Sequence, residues 1–139
     1  MRVDIAWKNA VHFSAQADSG HDVAIDGPPD LGGENRGTRP MEMLLMGIGG
    51  CAATDVVHIL RKGRINVQQC DVSVDAERAP EHPQVFTDIH LQFRVAGESL
   101  TEKRLARAVA LSAEKYCSAS ILMHRAGVNV THDYELIEI

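Results

Sequence analysis

The chain has 139 residues, a formal net charge of −5 and 45% hydrophobic residues. That is enough apolar content for a single core-bearing domain over residues 1–139. With one Trp, two Tyr and three Phe, the core must be mostly aliphatic, and the absence of a basic block or zinc-finger spacing argues against a nucleic-acid partner.

The chain opens with an alternating segment at residues 2–8, which reads as a strand with Val3, Ile5 and Trp7 on one face. It lacks the apolar stretch of a signal peptide. A turn at Asn9-Ala10 leads to a second strand at 11–17, and Ser19-Gly20 to a third at 21–26. Residues 27–38, GPPDLGGENRGT, form a loop by composition.

The longest apolar run follows at Pro40–Lys62, PMEMLLMGIGGCAATDVVHILRK. Pro40 suits a first helical turn, with Thr38 or Arg39 at the cap position and Thr38 chemically the better candidate. Arg61, Lys62 and Gly63 supply the cationic last turn and the stop. Glu42, Asp55 and His58 interrupt the run, so no membrane span is expected. Each of Gly47, Gly49 and Gly50 costs a helix interior roughly 0.8–1 kcal/mol relative to Ala. Three such residues beside Cys51 imply a close approach by another helix, subunit or substrate.

Strand character returns at residues 67–79, with Cys70, Val72, Val74 and Ala76 on the apolar face. After a turn at 78–83, residues 85–95 alternate strongly, placing Val85, Thr87, Ile89, Leu91, Phe93 and Val95 together. A helix at 101–116 puts Leu105, Ala108, Val109, Ser112 and Tyr116 on one face. A short helix at 118–126 and a strand at 128–137 close the chain. The order predicts an α+β fold with antiparallel sheets.

Three cysteines at wide spacing fit a reducing, cytoplasmic setting. Cys51 and Cys117 are both chemical candidates, because a thiol reacts as its thiolate and needs surroundings that favour it. Cys51 lies roughly 17 Å into its helix, beyond reach of the helix dipole. Cys117 precedes a helix whose free N–H groups could favour a thiolate. A cysteine in an apolar helix is more often a small buried hydrophobe, and Cys70 reads as core. His58 shares the Cys51 face but sits roughly 10 Å along it, too far for direct contact. Asp55 reads as a hydrogen-bond acceptor. Met41, Met43, Met46 and Met123 read as a flexible apolar lining. No pair of histidines has zinc-site spacing, so neither a metal nor another cofactor is expected.

PMEMLLMGIGGC opening a long helix, and EKYC at residues 114–117 opening a short one, resemble the OsmC/Ohr family of small stress-response proteins. The likeness covers nearly the whole chain and is strongest to the YhfA branch, through RPMEMLLMGIGGCAATDVVHILRKG and LSAEKYCSASILMHRAGVNVTHDYE. It implies an intertwined homodimer with long central helices. It also implies thiol peroxidase chemistry on an organic hydroperoxide. Cys51 would become a sulfenic acid, Cys117 would resolve it as a disulfide, and an external thiol reductant would reset the pair. Met41 and Met46 would line the substrate site. The chain departs from the peroxidase members at two points. Met41 stands where they carry the glutamate that holds an activating arginine, and the first strand-turn offers Lys8 rather than that arginine. Arg39, Arg36 and Glu42 are the other nearby charges. These departures equally fit a protein that keeps the fold and binds a small apolar ligand with little turnover.

Overall fold

The computed structural model describes residues 1–139. By internal contacts the chain divides into two compact units, Met1–Leu44 and Leu45–Ile139.

The first unit is a three-stranded antiparallel sheet in the order β1 (Val3–Asn9), β2 (His12–Ala17), β3 (Asp22–Asp26). Register runs Ile5 to Ala15 and Ala15 to Val23. Val3, Ile5 and Trp7 do share one face of β1, but they are 58%, 56% and 66% exposed in the single chain.

The loop after β3 is fastened by Asp26, which is buried. Its Oδ2 accepts the backbone N–H groups of Glu34 at 3.0 Å and Arg36 at 3.1 Å. The Arg36 N–H is the main reason that the carboxyl sits below its usual 3.8; burial works against it, and the Glu34 and Gly27 N–H groups assist. A depressed folded pKa gives stability that is present above the unfolded value and lost as pH falls through the folded one. Asp26→Asn is therefore expected to lower the urea midpoint near neutral pH. The gap to wild type should shrink as pH falls below 3.8; a gap that stays constant in acid would refute the assignment.

Thr38 does not cap the long helix α1 (Pro40–Lys62). Its backbone is committed to β3, with Asp26 N donating to Thr38 O and Thr38 N to Ala24 O. The capping contact comes instead from Glu42, whose carboxylate accepts the Arg39 N–H at 2.7 Å, as an acid three residues into a helix does.

The second unit carries most of α1 and a three-stranded sheet in the order β4 (Asn66–Arg78), β5 (Phe86–Glu98), β6 (Asn129–Leu136). β4 and β5 form the expected antiparallel hairpin. β6 departs from the antiparallel expectation and runs parallel to β5, from Asp88–Asn129 to Val95–Leu136. The two helices between β5 and β6 provide the crossover that a parallel pair requires.

Ile89, Leu91, Phe93 and Val95 are buried on β5 as expected. At its start the phase differs: Phe86 is buried, whereas Val85 and Thr87 are exposed. A register shift between Glu77 and Arg78 accounts for this, because a bulge moves the flanking residues to the opposite face. Gly49 of α1 fits closely on β4, and a Cβ there would lie 2.9 Å from Val74 Cγ2. Gly47 and Gly50 face open space within the chain.

The expected helix at 101–116 is two pieces. α2 (Glu102–Leu111) is capped by Thr101, whose hydroxyl accepts the Arg104 N–H. It buries Leu105, Ala108 and Val109. A π turn then runs over Ser112–Tyr116. The wider turn leaves Tyr116 half-exposed rather than on the buried face. α3 (Ser118–Arg125) follows at once.

Candidate active site

Cys51 and Asp55 lie one turn apart on α1, so their side chains share a face. Cys117 occupies the N-cap of α3, held there by its N–H donating to Ser112 O across the π turn at 2.8 Å. Such turns are frequent at functional sites. Here the turn delivers Cys117 to the α1 face. The Sγ atoms of Cys51 and Cys117 and a carboxylate oxygen of Asp55 all lie within 4.8 Å of one another.

The surroundings distinguish the two thiols. Cys117 is fully buried and Cys51 half-buried. Burial pushes the Cys117 thiol above its usual 9.0, and the neighbouring Cys51 adds to the rise. Hydrogen bonding from Ser120 opposes it, including the Ser120 N–H to Cys117 Sγ at 3.4 Å. The expected benefit of the helix N-terminus is therefore present but outweighed, because removing a thiolate from water costs more than one long N–H···S contact returns. Cys70 lies on β4, away from this cluster, where burial likewise raises its pKa.

Asp55 acts as the hydrogen-bond acceptor expected of it. The Ser112 hydroxyl reaches its Oδ2 at 3.3 Å and also Ala52 O at 3.4 Å, so one proton is shared between two acceptors. Its membership of the thiol cluster is the feature that sequence reading passed over. The four-residue spacing from Cys51 was the available signal. His58 is exposed on α1.

The charged residues suggested by sequence belong to the first unit. Lys8 is exposed on β1. The Arg39 guanidinium donates to Asn35 Oδ1 at 3.3 Å and Gly37 O at 3.2 Å. Arg36 donates to Asn9 Oδ1 and pairs with Glu34. Met41 is half-buried near the start of α1, while Met46, farther along, is exposed.

The OsmC-like protein family matches residues 32–133, which include both cysteines of the cluster. The chain belongs to this family. Protein YhfA of Escherichia coli K12 is 44% identical over 137 residues, covering 99% of this chain and 98% of that protein. A solved structural-genomics structure is 42% identical with a TM-score of 0.87, covering 99% and 98% of the two chains. An organic hydroperoxide resistance protein OsmC from Legionella pneumophila shares the fold at 16% identity, with a TM-score of 0.69 and coverage of 96% and 95%. α1 is long and apolar enough by length and composition to cross a membrane, and it buries Ile48, Gly49, Ala52, Val56 and Leu60 in the chain.

Proposed function

We propose that this OsmC-like chain, acting as one functional domain over residues 1–139, is a cysteine-based organic hydroperoxide reductase. The observation that carries the reading is the approach of the Cys51 and Cys117 sulfurs to within 4.8 Å. The half-exposed Cys51 is the thiol that a substrate can reach, so its thiolate attacks the terminal peroxide oxygen. The O–O bond breaks, the alcohol leaves with a proton, and Cys51 becomes a sulfenic acid. Cys117 then attacks the Cys51 sulfur. Its proton passes to the departing hydroxide, water leaves and a disulfide remains. A carboxylate oxygen of Asp55 lies within 4.8 Å of both sulfurs. An external dithiol reduces the disulfide by exchange. Forming an S–S bond of about 2.05 Å requires the sulfurs to close the remaining gap, a movement suited to the irregular turn before Cys117.

Met46, on the same helix as Cys51, lines the substrate site in this reading, and Glu42 fixes the Arg39 backbone. A cytoplasmic homodimer is the working form. The uncovered apolar side chains of Val3, Ile5 and Trp7 on β1, and the open space beside Gly47 and Gly50 on α1, support a partner subunit.

Stoichiometric cumene hydroperoxide should give a Cys51 sulfenic acid or a Cys51–Cys117 disulfide in the mass spectrum of the reduced protein, and light scattering on the same sample should give a dimer mass. If neither oxidised species appears, the reductase reading fails.

A binding protein with slow turnover is the second reading. It is favoured by Met41 in place of the family glutamate. A large gain in peroxide turnover from Met41→Glu would support it, and a fast wild-type enzyme would exclude it.

A further inference from the structure

The cluster of Cys51, Asp55 and Cys117 has the composition of a metal site as well as of a redox site. Two sulfurs and one carboxylate oxygen lie within 4.8 Å of one another. They come from two elements that the π turn holds together. Asp55 takes part in none of the three ion pairs of the chain. Three groups able to carry negative charge thus share a half-buried space with no cation bonded to them, and a bound cation is the charge that would let all three ionise together.

We propose that the reduced protein binds one soft divalent cation of the zinc class through Cys51 Sγ, Cys117 Sγ and a carboxylate oxygen of Asp55. Two thiolate donors select zinc, cobalt or cadmium over calcium and magnesium, which prefer oxygen. Three protein ligands leave the fourth tetrahedral position open to water or a small ligand. With zinc–sulfur bonds of about 2.3 Å, two sulfurs on one tetrahedral ion sit about 3.8 Å apart. The spacing of the ligand atoms therefore contracts by about 1 Å at most, a change within reach of side-chain rotation.

The neighbours of the three ligands suit the role. Ser112 donates to the Asp55 carboxylate, as groups behind a ligating carboxylate do. The Ser120 N–H donates to the Cys117 sulfur, an interaction that favours the thiolate. On binding, each thiol gives its proton to solvent and forms one metal–sulfur bond; nothing is oxidised or reduced. A bound ion would hold both thiols away from peroxide. The inference does not depend on the reductase reading, because it concerns the reduced protein in the absence of peroxide.

Cobalt(II) titration of the reduced full-length protein under anaerobic conditions tests it. The expected result is one equivalent bound, with thiolate-to-cobalt charge-transfer absorption and tetrahedral d–d bands, both displaced by zinc. Zinc should slow alkylation of the half-exposed Cys51 and leave the alkylation rate of Cys70 unchanged. Cys51→Ser and Cys117→Ser should each weaken the charge-transfer band and the affinity, and Cys70→Ser should change neither. Ser112→Ala, which keeps all three ligands, should lower affinity about 10–100-fold. The proposal is overturned if wild type shows no charge-transfer band, or if the band survives in Cys117→Ser and disappears in Cys70→Ser.

Discussion

Cys51→Ser is expected to reduce dithiol-supported hydroperoxide turnover by a factor on the order of 10⁴ or more, as loss of a nucleophile does. Cys117→Ser should behave differently. It should still consume one equivalent of peroxide at nearly the wild-type rate, and then stall with a persistent Cys51 sulfenic acid. The asymmetry follows from the two environments. Cys117 is fully buried, and burial raises its thiol pKa above the usual 9.0, so it is poorly placed to meet substrate or to attack first. In the proposed cycle it acts only once the Cys51 sulfur is electrophilic and already beside it. Stopped-flow peroxide consumption and trapping with a sulfenic-acid reagent measure the two steps separately. Turnover that survives Cys51→Ser would reassign the nucleophile to Cys117 or Cys70. Rapid multiple turnover by Cys117→Ser with a dithiol would show that Cys51 is reduced directly.

The elements of the fold were largely legible in the chain, because period-2 and period-3.6 patterns carry that information. The α1 boundaries at Pro40 and Lys62 follow from a proline start and a Lys-Gly stop. What local pattern could not contain was pairing. The parallel partnership of β5 and β6 depends on where the intervening helices deliver the chain. The bulge near Arg78 reversed the phase at Val85 and Phe86 because it belongs to the hairpin and not to either strand alone.

The site was readable as two cysteines, through a family likeness that extends across both segments. It was not readable as a cluster of three. Asp55 looked like one more polar residue on a helix, and only the π turn at Ser112–Tyr116 makes it a neighbour of Cys117. The same turn explains why the N-terminus of α3 does not by itself activate Cys117. Placing the sulfur at the cap also places it in the protein interior, where desolvation dominates.

Phe93→Ala is expected to cost about 3–5 kcal/mol of stability and to expose the site chemically. Phe93 is 2% exposed and lines one seam with Ala52, Leu91, Ser112 and Ser120. The seam encloses only about 10 Å³ of free space, so there is little slack into which neighbours could collapse. Removing the ring leaves a void under the π turn and under the cap that holds Cys117. The urea midpoint should fall with little change in slope, since the surface exposed on unfolding is nearly unaltered. Below that transition, Cys117 should alkylate faster than in wild type, because its protection comes from burial. Phe93→Leu retains most of the volume, so its cost should stay below about 1.5 kcal/mol and Cys117 should remain protected. An Ala variant that loses stability without a change in Cys117 reactivity would show that the seam supports the fold but not the thiol pair. A gain in reactivity would show that the same β5 side chain that fills the core also keeps the Cys117 thiol out of reach of reagents.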